Sequence, residues 1–559
     1  MRRLSLLISC LSLFFFTYAQ DERTVGLFTY EEGLFEGYTL FNPLNATGTY
    51  LIDNCGRLIN SWSGPYTPGN STYLLENGQL LRTAKTDLSA NPVFIFGGAG
   101  DRVQLLDWES EVLWDFMYSD STHRMHHDIE PLPNGNVLIL AWERFTEEEA
   151  IANGRNPDLI PDGELWGEHI IEVVPFTNEI VWEWHFWDHL IQDFDSTQAN
   201  YGLVAEHPEL MDINFVAGSS SNGSKDWMHM NSIDYNAELD QILIHTPYLG
   251  EIYIIDHSTT TEEAATHSGG RSNKGGDLLY RWGNPMAYRQ GTETDRQFFA
   301  AHDAQWIEAG LPDEGKIILF NNGSGRPEGA YSSIDIIAIP EADMTTGNYP
   351  YTANTAYAPS DLFWSYTAEE PTDFFSIFLS GAQRLPNGNT LICDGAFGRF
   401  FEVNEQGETV WEYVNPVVHT GILAYDEEIP LLFTRNANVV FRCTKYSADY
   451  PGFEGKDLTP GLPIELNFPE PLDCPLILDS EEVTKTNWRI YPNPSEGTLY
   501  IEQDLTTRTD VQIYNAFGKR VFTSLMQGNS LTLDLQDFPT GVYFLKIGKE
   551  VNQKIILAR

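Results

Sequence analysis

Basic residues are scarce in this chain. Its 33 Lys and Arg face 80 Asp and Glu, for a formal charge of −47. So much negative charge repels a phosphate backbone, which excludes nucleic acid as a partner. Cysteine is scarce too. Only Cys55, Cys393, Cys443 and Cys474 follow the first nineteen residues, and no two form a Cys-x-x-Cys metal knuckle. Four cysteines allow three pairings, and the sequence does not choose among them. No Asp-x-Asp-x-Asn-Gly loop occurs, so the acidity reads as a solvated surface and not as calcium sites. After residue 19 no apolar run is long enough for a transmembrane helix.

What is present begins with an export signal. Arg2 and Arg3 precede the mostly apolar Leu4 to Phe16, and Thr17-Tyr-Ala19 forms a small-residue cleavage site. Residues 1–19 are therefore expected to be removed, leaving a soluble, exported protein of roughly 540 residues, enough for a large core and a further domain. Hydrophobic content is 42% and aromatic content 13%, which suits an all-β globular chain.

Two patterns repeat. The first is a strand, a turn with Asp or Gly, and a second strand ending in tryptophan. It gives Trp62, Trp114, Trp182, Trp282, Trp364 and Trp411. Six units of about 60 to 80 residues predict a six-bladed β-propeller over residues 20–449, with these tryptophans in the core between blades. Insertions at 147–167, 185–226 and 259–276 are expected to build loops on one face of blades 3 and 4. The second pattern is the frame His127-Asp-Ile-Glu-Pro-Leu-Pro-Asn-Gly-Asn136, which recurs from Asn70 and Ser380, and more loosely from His229 and His302. Equivalent positions in a repeat fold face one axis, so His127, His229 and His302 form a candidate site, with Asn70 and Ser380 lining the same channel.

A ring of inward histidines supports two chemistries. Neutral imidazole is a nucleophile for group transfer, with neighbours as acid, base or anion holder. Three imidazoles also suffice for zinc or copper, and ligands this far apart in sequence leave the choice open. A non-catalytic propeller binding a glycan or phenolic ligand is a third possibility. The motif Trp184-His-Phe-Trp-Asp-His189 reads as an edge strand and turn, and the Asn-x-Ser/Thr sequons at Asn45, Asn70, Asn222 and Asn322 carry no assigned role.

The tail differs. Residues 450–485 are rich in Pro and acidic residues and read as a linker, and 486–559 alternates apolar runs and turns as a small β-sandwich. Ile490-Tyr-Pro-Asn-Pro-Ser-Glu-Gly497 and the late Gly541-Val-Tyr543 resemble the C-terminal sorting domain of cargo for the type IX secretion system of Bacteroidetes. That resemblance implies the type IX machinery as partner, and release or attachment at the cell surface.

The segments Asp226-Trp-Met-His-Met-Asn-Ser-Ile233, His126-His127-Asp128 and Ala301-His302-Asp303-Ala304 resemble the bacterial arylsulfate sulfotransferases, six-bladed propellers with a central histidine cluster. The resemblance spans most of residues 25–455. It implies transfer of a sulfuryl group from a phenolic sulfate ester to a phenol, by a ping-pong route through a sulfohistidine, with no nucleotide cofactor or metal. By motif position His302 matches the nucleophile. His229 and Asn231 match the holders of the sulfuryl oxygens, and His127 the first-blade histidine, with His126 competing for that role. Where the family places a sulfate-binding arginine, 18 residues after His229, this chain has Pro247, which donates nothing. His245 and Arg435 are the candidate replacements, with Arg124 as a further cation.

Overall fold

The computed structural model describes residues 23–86, 93–217, 224–468, 474, 488–495, 497–515, 520–536, 538–547 and 551–558. The segment read as an export signal lies outside these residues, as does most of 469–487. The chain divides into two compact units between residues 470 and 471.

The first unit contains six antiparallel sheets built on a four-strand meander. Blade 1 joins Val440–Ser447 to Gly37–Pro43, Thr49–Asp53 and Leu58–Trp62. Blade 2 spans Thr67–Leu74 to Val112–Met117, and blade 3 His123–Pro131 to Glu179–His185. Blade 4 spans Ser232–Asn236 to Tyr280–Trp282, and blade 5 His302–Trp306 to Trp364–Tyr366. Blade 6 spans Gly381–Arg384 to Thr409–Val414, and Gly26–Tyr30 adds a fifth strand at its edge. The inner strand of each blade neighbours that of the next, and Val440–Ser447 returns to the inner strand of blade 2. This closed ring is propeller-like, and the inner strands are short sheet edges protected at its centre.

Alternation of strand side chains explains the core. The last meander strand of every blade carries one of the six repeated tryptophans, and the indole N–H usually bonds to a turn of the following blade. Trp62 donates to the Asp107 carbonyl (2.9 Å), Trp114 to Asn178 Oδ1 (2.7 Å), Trp182 to Thr259 Oγ1 (3.1 Å), Trp282 to the Pro359 carbonyl (2.7 Å) and Trp411 to the Asn54 carbonyl (2.7 Å). Trp364 departs from the rule and lies under the Arg384 guanidinium, 5.0 Å away. Buried carbonyls left without a donor cost about 1–3 kcal/mol. Trp411→Phe, whose indole is fully buried, is therefore expected to lower the unfolding free energy by about that much. Trp364→Phe should cost less; equal losses in chemical denaturation would remove the inter-blade bond as the cause.

Two insertions, between Thr146 and Glu164 and between His185 and Ser232, leave blade 3 at the end where inner strands begin. The third does not share that face. It connects Glu251–Asp256 to Tyr280–Trp282, which starts it from the opposite end, and it packs along the outer strand of blade 3, where Trp184 donates to the Gly276 carbonyl. The start of the stretch read as a linker is also packed: Phe453 is buried edge-on to Tyr38 at 5.1 Å, and the Gly461 N–H donates to the Leu58 carbonyl (2.8 Å). Cys55 and Cys474 are disulfide-bonded, whereas Cys393 and Cys443 are free and buried.

In the second unit five strands share one hydrogen-bonded sheet around a core that includes Leu499, Ile513, Met526 and Leu545. The expected two-sheet sandwich is not delineated by these bonds, because the 18-residue strand Thr498–Asn515 pairs along its length with three partners. Its register with Arg520–Asp534 breaks between Glu502 and Thr507.

Candidate active site

In blades 2, 3 and 5 the recurring frame lies at bulges of the inner strands, and in blades 4 and 6 His229 and Ser380 stand just before them. In blade 3 register shifts between the Met125 and Ile129 pairings, and in blade 5 between His302 and Gln305. A bulge re-aims a side chain that regular pleating would hold to one face. His127 (φ 49°), His229 (φ 56°) and Asp303 (φ 59°) adopt left-handed backbone, a costly region for residues with a Cβ. Gly98, on the loop covering blade 3, packs so closely on the His127 ring that a Cβ there would overlap it.

His302 has one committed nitrogen. Its Nδ1 lies 2.7 Å from Asn322 Oδ1 and 3.1 Å from the Ala300 carbonyl. The Asn322 amide is fixed in orientation because its Nδ2 donates to the carbonyls of Ser376 (2.8 Å) and Leu379 (3.0 Å). Two acceptors around Nδ1 place the ring proton there, so Nε2 carries the lone pair. Burial pulls the His302 pKa down to about 4; the Asn322 bond opposes this and the charge of His229 reinforces it. The ring is neutral near pH 7.

His127 and His229 meet edge to face, with ring centroids 4.5 Å apart. Burial opposes a charge on His229, yet Asp226, 2.5 Å from its Nδ1, raises its pKa above the ordinary value. His229 is thus the site's cationic imidazole, stacked on Tyr248 at 4.7 Å and met edge-on by Phe96 at 5.6 Å. His127 is neutral, since burial and then the neighbouring His229 and His126 hold its pKa well below normal. His126 lies between His127 and Glu168: Nδ1 is 2.8 Å from His127 Nδ1, and Nε2 is 2.7 Å from Glu168 Oε2. Burial lowers the His126 pKa to about 3, and burial with Asp226 raises that of Glu168 well above normal. Both are neutral, so Glu168 O–H donates to His126 Nε2 and His126 Nδ1–H donates to His127 Nδ1. Glu168 Oε1 fits this pattern by accepting the Met230 N–H (2.9 Å). The outcome is an N–H at His127 Nε2.

Asn231 is buried with its amide in use, donating to the Ala301 carbonyl (2.8 Å) and accepting from His245 Nδ1 (2.9 Å). It thereby holds the backbone next to His302. His245 does not replace the missing cation: burial, then His302, keep it neutral. Arg435 is not brought into this network. It is exposed on a hairpin and rests on the Phe378 ring at 4.1 Å. Arg124 is buried, donating to the carbonyls of Gly100 (2.7 Å) and Phe94 (3.0 Å), which ties it to the covering loop.

The cation at the axis is Arg442, on the returning strand of blade 1. It pairs with Asp128 and with Asp303 (3.1 Å), and donates to the Tyr73 hydroxyl (3.1 Å). Gly381 lies beside it, where an added Cβ would stand 3.3 Å from Arg442 Cβ. This layer lies one residue beyond His127 and His302 and forms the floor of the histidine cup. A cavity of about 900 Å³ opens on the other side, lined by Glu130, Asp234, Asp303 and Arg442 but by none of the histidines.

Sequence reading missed Glu168, Asn322 and Arg442. Asn322 was visible only as a sequon and Arg442 only as the end of the last blade, and Glu168 fell between an insertion and a strand. Asp226 was visible, three residues before His229.

The fold and the cup define a class: an all-β ring whose inner strands converge on neutral histidines and one cationic histidine. The family model for Arylsulfotransferase (ASST) matches residues 45–418, and the chain belongs to that family. A second model, for a Secretion system C-terminal sorting domain, matches residues 489–558. The protein carries a type IX sorting domain and is secreted or displayed at the cell surface. Among the described residues no helix is long and apolar enough to cross a membrane. No curated protein matches the chain. Solved structures that resemble it include a protein of unknown function from Bacteroides caccae, 10% identical, covering 68% of this chain and 93% of that one, with a TM-score of 0.36. A putative 6-phosphogluconolactonase from Bacteroides fragilis is 10% identical, with 74% and 98% covered and a TM-score of 0.32. Virginiamycin B lyase from Staphylococcus aureus is 9% identical, with 71% and 85% covered and a TM-score of 0.31. Likeness at this level carries no weight for fold or function.

Proposed function

We propose that this protein moves a sulfuryl group from a phenolic sulfate ester to a phenolic acceptor, in two half-reactions through a sulfated His302. The observation that carries the reading is the fixed Asn322 amide, whose Oδ1 accepts from His302 Nδ1–H and so leaves the Nε2 lone pair nucleophilic. In the first half-reaction Nε2 bonds to sulfur while the sulfur–aryl oxygen bond breaks, and the leaving phenolate takes the proton of His127 Nε2 as His126 passes its Nδ1 proton to His127 Nδ1 and Glu168 passes its proton to His126 Nε2, which leaves Glu168 as the carboxylate. In the second, the acceptor oxygen attacks sulfur, the nitrogen–sulfur bond breaks, and the acceptor proton returns to His127. Cationic His229 faces the charge on the sulfuryl oxygens, in the place of the arginine that Pro247 replaces. Tyr248 and Phe96 offer aromatic faces to a phenyl ring. Peptide mass mapping after a rapid acid quench with a chromogenic phenyl sulfate tests this. One added sulfuryl group on His302 is expected; an adduct on another residue, or phenol release without any adduct, overturns it.

The pH dependence follows from protonation. A proton on His302 occupies the attacking lone pair, so the donor half-reaction should hold its rate down to about pH 4 and fall about tenfold per unit below that. An acid limb near 6.5, the ordinary histidine value, would show that His302 is not held as described. On the alkaline side the rate should fall as His229, raised above its ordinary value, loses its proton. Asp226→Asn removes the carboxylate that keeps this charge. It is expected to slow transfer about 100-fold at pH 7.5 and to move the alkaline limb toward acid. A slower rate with an unmoved limb would make Asp226 merely structural.

A further inference from the structure

Blade 3 holds a second histidine cluster on one sheet face, outside the cup. Pairing places His123 opposite Glu143 and His169 opposite His185, with Ala141 joining the two pairs, so all four residues share that face. Ligand atoms of Glu143, His169 and His185 lie within 4.8 Å of one another. The rings of His169 and His185 stack at 5.2 Å, and His123 meets His169 edge-on at 5.2 Å.

The distribution of hydrogen bonds points to an ion. His185 Nδ1 faces Glu143 Oε2 (2.9 Å), while its Nε2 faces Glu183 (3.3 Å). His123 Nε2 faces Glu143 Oε1 (3.7 Å), while its Nδ1 meets the Thr122 hydroxyl (3.0 Å). His169 is fully buried; its Nε2 meets the Tyr118 hydroxyl (2.9 Å), and its Nδ1 has no hydrogen-bond partner. A buried polar atom without a partner is costly and calls for an explanation. Each histidine thus has one nitrogen held by an outer polar group and one left for the cluster, the pattern by which outer-shell groups orient metal-binding imidazoles. Tetrahedral ligands about 2.1 Å from zinc lie about 3.5 Å apart, so the set closes by side-chain rotation of about 1 Å. The partly exposed rings of His123 and His185 give an ion a way in.

A second triad, His189, His267 and Asp277, lacks the buried unpartnered nitrogen that marks the first: both ring nitrogens of His189 have partners, Asp277 and the Ala264 carbonyl (both 2.8 Å), as His169 Nδ1 does not.

We propose that His169, His185 and Glu143, with His123 as fourth ligand, form a site for one zinc-type divalent cation. It braces the four strands of blade 3 where two long insertions leave them. Imidazole with carboxylate selects zinc, cobalt or copper over calcium and magnesium.

The test uses the purified full chain, stripped with chelator, dialysed and titrated with zinc by calorimetry, with cobalt absorption as the spectroscopic readout. Wild type should bind one equivalent with visible d–d bands from nitrogen-ligated cobalt. Glu143→Gln and His185→Gln should each weaken zinc at least about tenfold, and Glu183→Gln about tenfold through His185. His302→Gln should leave binding unchanged. Zinc-free unfolding midpoints of the Gln variants establish that they are folded. Absence of stoichiometric zinc binding overturns the proposal, as does binding that survives the Glu143→Gln/His185→Gln double substitution. Loss of binding in His302→Gln would move the ion to the cup and overturn it equally.

Discussion

His302→Ala is expected to abolish phenol release from phenyl sulfates, by about 10⁴-fold or more in kcat, because the bond-forming atom itself is removed. Substrate binding should change little, since His229, Tyr248 and Phe96 remain. The smaller His302→Gly leaves a space next to Asn322, and added imidazole should restore part of the rate by attacking in place of the missing ring. Sulfated imidazole would then appear free in solution. Turnover that survives His302→Ala unchanged would sink the covalent route, and would leave a single displacement held by His229 and His127.

Arg442→Met is expected to be the most destabilising single change in the ring, costing about 3–5 kcal/mol. The guanidinium neutralises Asp128 and Asp303, and burial makes their charge expensive once it is gone. Burial also opposes the charge on Arg442, but the two carboxylates outweigh this and raise its pKa well above normal. Burial already raises the Asp303 pKa, with Arg442 opposing; without the arginine these acids must take up protons to stay buried. The loss should therefore shrink at low pH, and Asp128→Asn with Asp303→Asn should recover much of it. Chemical denaturation of the three variants checks this. A loss that is independent of pH and not recovered would mean that Arg442 acts by filling space.

How much could be read in advance depends on whether partners share a repeat. The tryptophans recur because each blade must close against the next, and a periodic sequence displays a periodic constraint. His127, His229 and His302 were legible for the same reason, as occupants of equivalent positions in the repeat. Asn322 follows His302 by twenty residues, just past the end of the neighbouring strand, and only pairing reveals that it fixes a tautomer. Glu168 is forty-two residues from His126, and Arg442 more than three hundred from Asp128. No spacing rule connects such pairs. His245 and Arg435 were chosen for charge alone, and charge depends on burial, which neither residue's neighbours in sequence disclose.

The ring closes late. Blade 1 waits, with three strands and a bare inner edge, for Val440–Ser447, about 400 residues downstream in a fold of high contact order. That strand also delivers Arg442, so the floor of the cup is among the last parts to be made. The sorting domain lies beyond it, at 489–558. Any chain that bears the export address has therefore already received its closing strand. A product cut short during synthesis lacks the address, the seam and the buried cation together. Order along the polypeptide thus means that only chains long enough to shut the ring carry the sorting domain.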